Sequence, residues 1–181
     1  MYFVRDTHFQ KQTFRNRTEI YGANGKLKLT LPIVHNKSKS HQKEEEVQIA
    51  DTTAWQKQHW KSICAAYRSS PYFEFYEADL IPFYKEEITH LMQFNLDLLN
   101  KIMELIEFSM SYKVVDWNEH THQRMDDLVN AKKSVEINFD PYRQVFEEKN
   151  GFIPNLSIID LLFNLGPDTL SYLKKHTALI N

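Results

Sequence analysis

Thr13 to Ile33, TFRNRTEIYGANGKLKLTLPI, constrains this chain most, because it reads as a β-hairpin whose register decides which side chains face the interior. Leu27, Leu29, Leu31 and Ile33 alternate with Lys26, Lys28, Thr30 and Pro32, the period of a half-buried strand. Asn24-Gly25 is a favoured two-residue hairpin loop, since a type I′ turn needs positive φ at both central positions. With those two residues as the loop, Ala23 pairs with Lys26, Ile20 faces Leu29 and Glu19 faces Thr30. One face then carries Phe14, Asn16, Thr18 and Ile20 with the leucines. The other carries Arg15, Arg17, Glu19 and Tyr21 with the lysines.

The 181 residues suit one domain over 1–181, with a β-rich part over 1–50 and a mainly helical part over 51–181. A net charge of -2 supplies no field for nucleic acid, so any anion site must be local. The single cysteine, Cys64, excludes an internal disulfide and carries no mark of an oxidising compartment. Met1-Tyr2-Phe3-Val4 runs straight into Arg5-Asp6, which is no signal peptide, and no apolar run is long enough to span a bilayer. A cytoplasmic location is the expectation. No glycine-rich phosphate loop or nucleophile elbow occurs.

Tyr2-Phe3-Val4 reads as a short strand leading towards the hairpin. His35 to Glu46 is a polar loop whose Glu44-Glu45-Glu46 run is expected on a solvated surface, and Val47-Gln48-Ile49 returns as a third strand. From Thr53 the period becomes helical, with Trp60, Ile63, Cys64 and Tyr67 on one stripe and Asp51, Thr52 or Thr53 as N-cap. Cys64 lies within that stripe as a buried, inert thiol. Ser70-Pro71 opens a short aromatic helix that Pro82 interrupts. Leu91, Phe94, Leu98, Ile102 and Leu105 define the strongest helix, capped by Thr89. Ser111 to Trp117 and Val135 to Phe139 are strand-like. Asp140-Pro141 is expected to cap a helix through Val145 and Phe146. Ser157-Ile158-Ile159-Asp160 has capping-box spacing, and Gly166-Pro167 separates the last two helices.

Arg15 and Arg17, two apart with Lys26 and Lys28 on the neighbouring strand, make a face able to hold a phosphate or carboxylate. The structural alternative is an exposed face held by cross-strand pairs, such as Glu19 with diagonal Lys28. Asn16 points its amide towards the leucines, where it either pins a loop or lines a cleft. His59 beside the Trp55 and Trp60 stripe is a partly buried histidine or a base. Glu119, His120 and His122 have metal-ligand character with Asp126 and Asp127 close by, but no third ligand is placed by spacing, and no metal is assigned. Asp160 at the third position of its helix favours the positive dipole end for stability alone, or serves chemistry.

Three motifs together resemble the WbqC-like family, named after a protein of bacterial O-antigen gene clusters. They are K-Q-T-F-R-N-R with A-N-G-K-L-K-L-T-L-P-I, W-Q-K-Q-H-W with A-Y-R-S-S-P-Y-F, and F-I-P-N-L-S-I-I-D-L-L-F-N-L-G-P. The resemblance covers most of the chain, roughly Val4 to Leu173, and Y-R-Q-V-F close before the last motif is similar to compact members of Bacteroidetes. Longer members begin with an extra strand that this chain lacks; if that segment supplies a nucleotide pocket, the resemblance implies an incomplete or inactive site here. The resemblance implies a cytoplasmic protein of surface-polysaccharide assembly, with a transferase acting on an activated sugar, acyl or aminoacyl donor. It supplies no catalytic residues and no cofactor.

The expected fold is mixed α/β or α+β, a small β-sheet built on the N-terminal hairpin and covered by several helices. The expected function is a transferase-type enzyme of surface-polysaccharide (O-antigen) biosynthesis that binds an anionic or phosphorylated donor. Arg15, Asn16, Arg17 and His59 are its candidate substrate-binding residues, and Asp160, Tyr142 and Gln144 its candidates for orientation or proton transfer. The alternative is a non-catalytic module that docks a partner through the aromatic segment Trp55 to Tyr84.

Overall fold

Alternating leucines at the N-terminal end do form a hairpin, and its inner face seats the helices. The computed structural model describes residues 1–34, 42–51, 53–117, 126–131 and 138–177. The first strand, β1 (Tyr2–Val4), precedes the hairpin strands β2 (Arg17–Gly22) and β3 (Gly25–Thr30). The turn differs from expectation. Gly22 pairs with Gly25, Ile20 with Leu27 and Glu19 with Lys28, so Ala23 and Asn24 are the loop residues. Neither takes positive φ; Gly25 alone does, at 99°, which excludes the type I′ turn and fits a turn closed by a glycine bulge.

The register moved by two residues, and because side chains alternate with period two, the faces survived the shift. Ile20 and Leu29 are buried as expected. Tyr21, on the lysine face, is fully buried too, because its hydroxyl donates to the carbonyls of Phe146 and Gly151 at 3.1 and 2.6 Å. Near the turn β2 is therefore buried on both faces, while Lys26 and Leu27 across from it stay exposed.

Strand β1 does not join the hairpin. It pairs in parallel with β4 (Lys113–Val115), so that the described residues form two sheets of two strands each. Val47 to Ile49 makes isolated bridges, Ile33 with Ile49 and Gln48 with His90, instead of a third strand. Glu44 is not solvated as expected. It sits in a 3-10 turn (Glu44–Glu46) with its carboxylate 2.7 Å from Arg15 Nε.

Helix α1 (Trp55–Tyr67) starts behind Ala54 with no side-chain cap, so the expected aspartate or threonine cap is not used. Helix α2 (Phe73–Leu80) begins later than Ser70-Pro71 predicts, since Ser70 Oγ donates instead to the Tyr67 carbonyl at 2.6 Å. A 3-10 turn (Ile81–Tyr84) containing Pro82 follows it. Helix α3 (Leu91–Leu105) is capped by His90 without a side-chain bond, not by Thr89. Its Leu91 and Phe94 pack with Leu31, Val47 and Trp55, while Ile102 packs with Ile20, Ile63 and Phe73, so α3 ties two apolar clusters together. Each fully buried side chain of this size stabilises the fold by roughly 1.5–3 kcal/mol.

Short helices α4 (Asp126–Val129) and α5 (Glu147–Asn150) precede α6 (Ile158–Leu165) and α7 (Thr169–Thr177). The helix expected from Asp140 through Phe146 is absent. Residues 138–144 run as irregular chain whose side chains serve the polar centre described below. The Glu119, His120, His122 group and Val135 to Ile137 lie outside the described residues. Among the described residues, no helix is long and apolar enough to cross a membrane.

Candidate functional site

Asp160 is the third residue of α6, and the apolar stripe Ile159, Leu162 and Phe163 that anchors α6 also carries Asp160 into the core, where it is 0% exposed. A carboxylate cannot enter such a place unsatisfied. Tyr67, from the last turn of α1, donates its hydroxyl to Asp160 Oδ1 at 2.7 Å. Tyr142 donates its hydroxyl to Oδ2, and Gln144 Nε2 reaches the same oxygen at 2.9 Å. Tyr142, Gln144 and Asp160, all expected from sequence, thus converge.

Gln144 holds the surrounding chain in place. Its Oε1 accepts the Ile153 amide at 2.9 Å and its Nε2 lies 3.0 Å from the Ile153 carbonyl, which closes the 144–153 segment upon itself. That Nε2 is also 3.1 Å from the Tyr142 hydroxyl oxygen. With only two protons for three acceptors, one N–H is shared between Tyr142 and Asp160. This demand on Gln144 and Tyr142 explains why the segment is not a helix.

Burial lifts the Asp160 carboxyl above its ordinary range, and the bonds from Tyr142, Tyr67 and Gln144 pull it part of the way back. Burial, reinforced by the charge of Asp160, pushes both Tyr67 and Tyr142 well above the usual phenol range, so both stay protonated and act as donors. Tyr142 is half-buried, with its ring edge-on to Phe152 and Tyr172 and its hydroxyl turned inward onto Asp160.

The second group lies at the far end of β2. Tyr21 belongs with the polar centre through its amide, whereas Arg17 is four residues away along the strand, about 13 Å. Arg15 is ion-paired to Glu44, with both side chains largely shielded. Asn16, 8% exposed, serves the interior: Nδ2 donates to the Leu31 carbonyl at 3.1 Å, while Oδ1 is buried without a partner. Arg17 is half-buried with a shielded Nε, and neither Nε nor the rest of its guanidinium has a hydrogen-bond or ion-pair partner among the described residues. His59 packs edge-on to Trp55. Burial lowers its pKa, and the Thr30 carbonyl, an acceptor for the ring, works the other way. The structure therefore forms two groups from the expected residues, not one.

Tyr67 is the member that sequence reasoning missed. Its signal was present, because a phenol in an otherwise apolar helical stripe needs a partner for its hydroxyl. A cleft of about 260 Å³ between Pro82 and Asp97, lined by Phe83, Glu86, Glu87, His90 and Phe94, contains none of the expected residues. Among the described residues, no group of three or more His, Cys, Asp or Glu gathers to hold a metal.

Fold and site together define a mixed α/β protein with small two-stranded sheets and a sealed carboxylate centre joining hairpin to helices. The chain belongs to the WbqC-like protein family, whose model matches residues 1–138 and 129–172. It is similar to the uncharacterized protein Rv1507c of Mycobacterium tuberculosis (strain ATCC 25618 / H37Rv), with 29% identity over 198 residues, covering 93% of this chain and 85% of that protein. No solved structure matches it significantly.

Proposed function

We infer that the protein is a cytoplasmic, transferase-type enzyme of bacterial surface-polysaccharide assembly that binds an anionic, phosphorylated donor on the outer face of the hairpin. The observation that carries this reading is Arg17, a half-buried side chain whose shielded Nε has no partner among the described residues. Shielding a cation without a counter-ion costs free energy that an anionic ligand offsets. Arg15 is neutralised by Glu44, so the anion-binding role falls to Arg17. The polysaccharide context rests on the resemblance to the WbqC-like family. In this reading Asp160, Tyr142 and Gln144, gathered at the other end of the strand, are positioning residues that hold the helices against the hairpin.

The docking-module alternative has less support. Trp55, Tyr67, Phe73 and Tyr76 are spent in the core, and Phe75 is left as the large apolar residue of that segment facing solvent. A thermal-shift screen against nucleotides, nucleotide sugars and acyl donors tests the function, with Arg17→Ala alongside. Phosphorylated donors are expected to raise the melting temperature of the wild type and not of the variant. No shift with any donor, or an equal shift in both proteins, overturns it.

A further inference from the structure

Strands β2 and β3 pair Arg17 with Thr30, Glu19 with Lys28 and Tyr21 with Lys26, so these six side chains leave the hairpin on one face. Towards the turn that face is closed, because Tyr21 is tied down by the carbonyls of Phe146 and Gly151. Away from the turn its charges do not balance. Glu19 is the one carboxylate among the six, and diagonal Lys26 claims it at 3.3 Å. Lys28, directly opposite Glu19, has no ion-pair or side-chain hydrogen-bond partner among the described residues, and neither has Arg17.

Arg17 and Lys28 are diagonal neighbours across the ladder, about 7 Å apart at the backbone. Both side chains are long enough to close on one tetrahedral group. Thr30, exposed and directly across from Arg17, adds a hydroxyl donor between them. The geometry points to a phosphoryl subsite held by Arg17, Lys28 and Thr30. It rests on the anionic-donor reading above and narrows it to a ligand class. Two uncompensated cations and a hydroxyl match a dianion with three acceptor oxygens; a carboxylate offers one charge and two oxygens.

Calorimetric titration of the full chain at low salt, with inorganic phosphate, pyrophosphate and acetate as separate probes, tests this subsite. Phosphate and pyrophosphate are expected to bind, pyrophosphate the tighter if the group is a diphosphate, and acetate at least about tenfold more weakly. Lys28→Ala is expected to weaken phosphate binding about tenfold, and Lys28→Arg to restore most of it. Both changes are at an exposed position, so the fold is not at risk. Acetate binding as tightly as phosphate, or affinity that needs Arg17 but is indifferent to Lys28→Ala, overturns the subsite and leaves the anionic donor standing. Silence with both phosphates, while nucleotides still shift the melting temperature through Arg17, also overturns the subsite alone. Silence in both experiments overturns both.

Discussion

The Tyr67 hydroxyl stands 2.7 Å from Asp160 Oδ1 and 3.0 Å from the Tyr21 amide nitrogen. It donates to the carboxylate and accepts from the strand, so one phenol joins β2 to α6 across the core. Tyr67→Phe keeps the ring and its packing on Phe163 but strands both a buried N–H and a carboxylate oxygen. The expected loss is about 2–3 kcal/mol, since two buried polar groups lose a partner. Urea denaturation checks it: the midpoint should fall with the slope unchanged. A wild-type midpoint would mean that the phenol does not hold these elements together.

Asp160 also gives the fold a pH dependence of definite sign. Burial raises its carboxyl above the ordinary 3.8. Between that value and the raised one, the folded protein holds a proton that the unfolded chain has released, so stability falls as pH rises through the window. The contribution is complete below the ordinary carboxylate value and lost above the raised one. Asp160→Asn cannot titrate, so the wild type should lose ground against this variant as pH rises, by up to about 1.4 kcal/mol for each unit of the raised interval. Urea denaturation of both proteins from about pH 4 to about pH 7 measures the gap. A constant gap, or one moving in the wild type's favour with rising pH, would refute the assignment.

The hairpin was legible because alternation survives a register error of two residues. Leu29 and Ile20 are inside in either register. What depended on the register was the charge pairing: Glu19 stands opposite Lys28, not Thr30, and pairs with Lys26. Nothing in the local pattern announces that Gly25, not Asn24, takes the positive φ. Asp160 stands out in the sequence as a carboxylate at the third position of an apolar helix, and the structure brings it to Tyr142 and Gln144 and not to Arg15 and Asn16. Tyr67 could not be joined to them by spacing, since it lies 93 positions away and the connection is made only when α1 packs beside α6. The irregular run at 138–144 reads as a helix in the sequence because capping signals at Asp140-Pro141 are local, whereas the bonds that prevent the helix come from Asp160 and Ile153.

Phe75 separates the two functional readings. It is 73% exposed on α2 and rests edge-on against Tyr76. Replacement by serine should change stability by no more than about 0.5 kcal/mol, as for an ordinary surface site. If the protein is an anion-binding enzyme, Phe75→Ser should also leave the donor-induced thermal shift as in the wild type. A donor response abolished by Phe75→Ser at unchanged stability would place the binding surface on the aromatic segment and remove the hairpin from consideration.

Gly166, between α6 and α7, has φ of 55°, and a Cβ there would lie 2.6 Å from the Tyr72 ring carbons. The Tyr72 backbone is held here, since its amide donates to the Phe163 carbonyl at 3.0 Å, so relief has to come from rotation of the ring. Gly151 has φ of 75° but nothing within 4 Å of its would-be Cβ. Alanine at Gly151 therefore incurs only the backbone cost of a glycine-only conformation, about 1–3 kcal/mol. Alanine at Gly166 incurs that cost and the overlap with Tyr72, about 1–3 kcal/mol more. Parallel urea denaturation of the two variants isolates the ring contact as the difference between them. If both lose the same stability, the Tyr72 ring yields freely and the α6–α7 junction is looser than its geometry indicates. If Gly166→Ala is the more damaging, the excess should vanish when both glycine variants are compared on a Tyr72→Ala background, because the ring that obstructs the new Cβ is then gone.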